Sequence, residues 1–220
     1  MQNVKKYAPY VFLIFTVYLT TVWINFYYIS SYNVDFNKYY PYINNLSGIE
    51  EKIEYGQNSF YYFLILSIVK SRVDIISTEN FNIVLNNSIH IVNLSFYLIG
   101  LFGLFKFLKT YNFSSRNIIF SLSILSFFPQ SIYLRSVMKP EIVAFALLTW
   151  LFYFLNIYIE SRNIKYLYII VFPLALILNV KASIAGMVTV YILIFYYKEI
   201  RNLGFKKIVI IFLILISLFL

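Results

Sequence analysis

The chain has 220 residues, of which 61% are hydrophobic and 12% charged, and its mean hydropathy is +0.75. A soluble domain is typically about a quarter charged, so this composition excludes a water-soluble globule and makes lipid the solvent. The formal charge of +9 is distributed as membrane orientation requires, not as a nucleic-acid patch, and the absence of cysteine removes disulfides and thiolate metal sites.

Lys5 and Lys6 precede an apolar run over residues 8–29. It is long enough to cross a bilayer and no small-residue cleavage site follows it, so it predicts a retained first span. Residues 31–80 then predict an extracytoplasmic loop. Its stretch from Tyr32 to Ser59 is the longest polar segment and holds Asp35, Glu50, Glu51 and Glu54, four of the nine acidic residues. A loop of this length has room for chemistry that short turns lack. Within it, residues 59–69 (SFYYFLILSIV) are apolar but too few for the ~30 Å hydrocarbon core, and predict a helix lying in the outer interface.

Further spans are predicted over residues 83–108, 117–134, 142–159, 166–180 (kinked at Pro173) and 182–197. A last run, 208–220, ends without a polar flank and reads as a truncated span, so the chain is expected to be the N-terminal portion of a longer protein. The expected fold is all-α: one polytopic transmembrane helix bundle over residues 1–220, with about seven spans and a long first extracytoplasmic loop carrying interfacial helices. Asn86, Asn87, His90 and Asn93 lie in the first half of the second span at spacings of three and four, which puts several on one face. Interhelical hydrogen bonding is the favoured reading for His90, since a lone histidine is poor grounds for a metal site.

With the N-terminus cytoplasmic and residues 59–69 not crossing, the cytoplasmic turns hold eleven basic and two acidic residues. The basic ones are Lys5, Lys6, Lys106, Lys109, Arg116, Arg162, Lys165, Lys198, Arg201, Lys206 and Lys207. The outer side holds seven of each sign, so the asymmetry carries the whole +9 and follows the positive-inside rule. Were residues 59–69 to cross, every later turn would flip and the asymmetry would reverse.

Arg135, Lys139 and Lys181 are basic residues on the side that this rule depletes. Cations at headgroup level suit a phosphate, and the alternative is snorkelling to ordinary headgroups. Glu141 follows Pro140 and has a structural explanation as the first turn of a helix, which stands level with a functional one. Asp35, among Phe36, Tyr39, Tyr40 and Tyr42, can serve as a general base toward a hydroxyl, or can be a solvated loop carboxylate or helix cap.

The pieces VDFNKYYPYINNL, EYGQNSFYYFLILSIV, YLRSVMKPEIVAFALLTWLFYFL and LALILNVKASIAGMVTVYILIF, in this order, resemble the GT-C class of polytopic membrane glycosyltransferases, including the protein O-mannosyltransferase and aminoarabinose transferase relatives. The resemblance implies transfer of a sugar, outside the cytoplasm, from a polyprenyl-phosphate donor to a glycan, lipid or protein acceptor. It makes Asp35 the base that activates the acceptor. Arg135, Lys139 or Lys181 would hold the leaving lipid phosphate, and Glu141 would orient the sugar or a basic partner. No glycine-rich nucleotide loop is visible, as a lipid-linked donor would have it, and no cofactor or nucleic-acid partner is expected. The rival readings are a surface-polysaccharide polymerase and, third, a lipid-linked oligosaccharide flippase or other transporter. A transporter would tend to show internal repeats and midplane charges, whereas here the charges sit at span ends and no repeat is seen.

Overall fold

The computed structural model describes residues 2–28, 60–71 and 81–195. Every regular element among them is helical: α1 (Gln2–Tyr27), α2 (Phe60–Lys70), α3 (Phe81–Thr110), α4 (Ser115–Phe127), α5 (Pro129–Ser136), α6 (Glu141–Ser161), α7 (Ile164–Val180) and α8 (Ala182–Phe195). Asp35, Ser59 and the run 208–220 lie outside the described residues.

Three helices are long and apolar enough to cross a membrane: Tyr7–Tyr27 within α1, Ile83–Thr110 within α3, and α6. The span expected over 117–134 is instead two helices, α4 and α5, bent by 65°, which make a fourth crossing if counted together. Pro129 explains the break. It has no N–H to donate, and the residue before a proline is driven out of the helical region. Phe128 accordingly takes φ −61°, ψ 136°, while Pro129 starts the next helix. α7, with 17 residues, is shorter than a bilayer requires. Lys181, in extended conformation (φ −160°, ψ 100°), separates it from α8, which reaches the end of the described residues at Phe195. α7 continues through Pro173. α2 is a helix, as expected for residues 59–69, of 11 residues.

Capping residues set several ends. Ser114 accepts from Asn117 N at the start of α4, Asn163 accepts from Lys165 N at the start of α7, and Arg162 ends α6 in the left-handed region at φ 54°. Two clusters make the core. The larger joins α1, α2, α3, α4, α6 and the end of α7 around Tyr61, Ile65, Leu85, Ile89, Tyr97 and Ile142, and the smaller joins α6, α7 and α8 around Leu151, Leu155, Ile177 and Ala185.

Specific contacts fix the helix directions. α3 and α6 run parallel, because Gly100 faces Phe145 and Ala146, Gly103 faces Thr149, and Asn156 Nδ2 donates to Thr110 Oγ1 at 2.7 Å. The glycines let these two helices approach closely, as small residues do at membrane helix interfaces. α1 is antiparallel to α3, with Asn25 beside His90 at one end and Tyr10 and Phe105 lining one groove at the other. Ala8 and Pro9 share a hollow with Arg116 and Asn117, and further along both helices Val17 and Thr21 share a groove with Ile119 and Leu122, so α4 runs alongside α1 in the same direction, with Phe12 stacked on Phe120 between. The Lys181–Glu141 ion pair and the Phe152–Tyr191 ring contact set α8 parallel to α6. The helices therefore alternate in direction. One end of the bundle gathers the Arg135–Glu141 link and Lys181, and the other gathers Lys106, Lys109, Arg116, Arg162 and Lys165.

Candidate functional site

The first of these ends is built on the link between α5 and α6. The chain leaves α5 through Val137 in extended conformation, and Pro140 starts α6 by accepting from Val143 N at 3.0 Å. Four residues of link would expose backbone carbonyls to lipid. Asn93 of α3 covers two of them: its Nδ2 donates to Arg135 O at 2.9 Å and to Val137 O at 2.8 Å. Its Oδ1 accepts from Tyr61 Oη of α2 at 2.8 Å. Asn93 and Tyr61 are both fully buried, so one amide joins α2, α3 and the link with all its donors and acceptors engaged. Burial raises the Tyr61 phenol far above its ordinary value, which keeps it protonated and donating.

Glu141 stands in the first turn of α6, where a negative charge suits the helix N-terminus. Its Oε1 pairs with Lys181 Nζ, and both side chains are about 30% exposed (27% and 31%), so the pair sits at the rim of the bundle and not in its core. Glu141 Oε2 is buried with no hydrogen-bond partner among the described residues. Lys139 lies on the outside of the link, where its Nζ donates to Tyr133 Oη at 3.0 Å and stands 5.2 Å from that ring's centre.

Arg135 does not join these groups. It is 2% exposed and turns into the bundle, where Nε donates to Ser131 O at 3.2 Å, Nη1 to Thr20 Oγ1 at 3.0 Å and Nη2 to Ser126 O at 3.0 Å. Its guanidinium also lies 4.5 Å from the centre of the Tyr97 ring, whose hydroxyl donates to Ser126 Oγ at 3.0 Å. Stacked and hydrogen-bonded on three sides, this cation fastens the α4–α5 bend to α1 and α3 and has no reach to a ligand at the rim. The bend explains the difference from the sequence expectation. A straight span over 117–134 would have carried Arg135 out to its end, and the 65° turn folds it back inside.

Of the five residues singled out in the sequence, Glu141 and Lys181 are brought into contact, Lys139 lies two residues away on the same link, Arg135 is withdrawn, and Asp35 falls outside the described residues. Tyr61 was not singled out. Its signal was the apolar stretch that holds it, which gave no hint that one phenol would cap Asn93. His90 does make an interhelical hydrogen bond, Nδ1 donating to Asn25 Oδ1 at 2.7 Å. No protein-family model matches this chain, and neither a curated protein nor a solved structure is detectably similar to it.

Proposed function

We propose that this chain acts as a membrane glycosyltransferase that moves a sugar from a polyprenyl-phosphate donor to an acceptor on the extracytoplasmic face. The observation that carries the reading is the convergence of Lys181, Glu141 and the Lys139 link at one end of the bundle, opposite the end that holds most of the other described cations. Counted up from Thr110 at 1.5 Å per residue, a ~30 Å hydrocarbon core ends at about His90. Asn93, and with it the link, then lies within ~5 Å of that outer boundary on its hydrocarbon side, from which the lysine side chains can reach up to a lipid phosphate. The basic end is the cytoplasmic one by the positive-inside rule. α2 lies in the outer interface, tied to Asn93 through Tyr61.

In this reading Lys181 and Lys139 receive the negative charge that builds on the lipid phosphate as the glycosidic bond breaks. Glu141 holds Lys181 in place. Asp35 takes the acceptor's proton. Arg135 has a structural part only.

The test is transfer from a radiolabelled polyprenyl-phosphate sugar by the protein in liposomes, with a known transferase as active control. Turnover by the wild type, reduced ~10²–10⁴-fold in well-folded Asp35→Asn, is the expected result. Unchanged turnover in Asp35→Asn, or none in the wild type with all common sugars, would overturn the reading.

A further inference from the structure

A second feature lies on the opposite face of α3. α1, α3 and α4 enclose an open groove of about 530 Å3, lined by apolar side chains from Thr21 and Leu94 at one end to Tyr10 and Phe105 at the other. At the Thr21–Leu94 end it runs into a smaller hollow of about 250 Å3 walled by Asn25, Asn87 and His90, with Thr21 and Leu94 shared between the two. The zoning is one-sided: hydrocarbon below, a box of hydrogen-bonding groups above.

We propose that this groove binds one chain of a bilayer glycerolipid, with the lipid's ester carbonyl accepting from the amides of the box. Three observations favour this occupant. The first is length. From Asn25 to Tyr10 the groove extends ~22 Å, short of the ~30 Å core, so it suits a chain anchored at one interface and ending within the membrane; a spanning helix would need apolar lining to both sides. The second is hydrogen bonding. Asn25 Oδ1 is engaged by His90, but Asn25 Nδ2 and the Asn87 side chain have no partner among the described residues, and both amides stand at the groove's mouth. Amide N–H groups at interface depth seek an acceptor, and an ester carbonyl at that depth supplies one. The third is charge. No cation among the described residues lines either hollow, so none of them offers a phosphate a counter-charge here, in contrast to the Lys139–Lys181 rim. The site is thus distinct from the proposed donor site, although its depth rests on the same placement of the membrane.

The experiment uses the full chain in liposomes with phosphatidylcholine carrying a diazirine on one acyl chain. Cross-links should fall on the groove segments 10–21 and 94–105 several-fold more often than at Met187 and Ile194, which are exposed on α8. Leu98→Trp, which fills the groove from an exposed position, should abolish the excess, and Asn87→Leu should reduce it. Diester phosphatidylcholine should compete it away better than the diether analogue, which lacks the carbonyls. Gel filtration and circular dichroism check that both variants fold. Groove labelling no higher than at Met187, an excess that survives Leu98→Trp, equal competition by ester and ether lipids, or displacement by a polyprenyl phosphate in preference to the diester lipid would overturn the proposal. So would cross-linked dimers joined through the groove, which would make a second copy the occupant. Neither the sidedness of the protein nor its transfer activity enters the readout, so the two proposals fail separately.

Discussion

Asn93 and Arg135 show how far single residues can be read from the sequence. A polar residue inside an apolar helix must find partners in a medium that offers none, so an interhelical hydrogen bond was legible for His90 and, by the same physics, for Asn93. Which partners these would be was not legible, because Asn25, Tyr61 and the link carbonyls lie 32 to 65 positions away in the chain. The sequence marks Arg135 as a cation at the end of a span but not as a buried one, since its direction depends on the bend at Pro129. Two predictions belong at this scale. Asn93→Leu removes the donors to two carbonyls and the acceptor for Tyr61, and is expected to destabilise the fold by about 1–3 kcal/mol, read from thermal or denaturant unfolding in detergent. Arg135→Gln should lower stability by about 2–4 kcal/mol, because Ser126 O, Ser131 O and Thr20 lose a shared charged donor, while any transfer activity that survives keeps its donor KM. A raised donor KM in a folded Arg135→Gln protein would place this cation at the substrate after all.

The helices themselves follow from apolar runs, and six of the eight occupy the intervals that hydropathy marks out. The departures are at breaks. A hydropathy window sees through Pro129 because Phe128 and its neighbours are apolar, whereas the backbone cannot. Closeness of packing is also hidden from hydropathy, which scores Gly100 and Gly103 as two small residues among many. In the fold a Cβ on Gly103 would stand 2.5 Å from Thr149 Oγ1 and 3.1 Å from Thr149 Cβ, and one on Gly100 would strike the Phe145 ring and come within 3.2 Å of Ala146 Cα. Gly103→Ala is therefore expected to cost about 1–3 kcal/mol by overpacking the α3–α6 interface. Thr149→Ala in the same chain should restore part of that loss, since it removes the nearer atom and leaves the farther. Additive losses in the double variant, measured by unfolding, would mean that the two helices are not in contact at this point.

For the whole molecule, charge counting assigned the turns alternately to two sides, and the described helices do alternate, with Lys109, Arg116, Arg162 and Lys165 at one end and the Glu141–Lys181 pair at the other. Which end faces out is a matter of labelling. Ser47→Cys and Ser115→Cys, placed in a chain without cysteine, should differ: an impermeant thiol reagent should modify the first in intact cells and the second only after lysis. Equal modification from outside would reverse or abolish the proposed orientation.

The functional reading depends on the Lys139–Lys181 rim holding the donor phosphate, and kinetics on three lysine variants test this most directly. Lys139→Met, Lys181→Met and, as a control at the opposite end, Lys165→Met would each be assayed in liposomes against increasing polyprenyl-phosphate sugar. At least one of the first two should show a raised KM, a lowered kcat or both, depending on whether its contact forms in the ground state or only in the transition state. Lys165→Met should match the wild type. Wild-type kinetics in folded Lys139→Met and Lys181→Met, or an equal loss in Lys165→Met, would contradict the assignment of the phosphate to this rim.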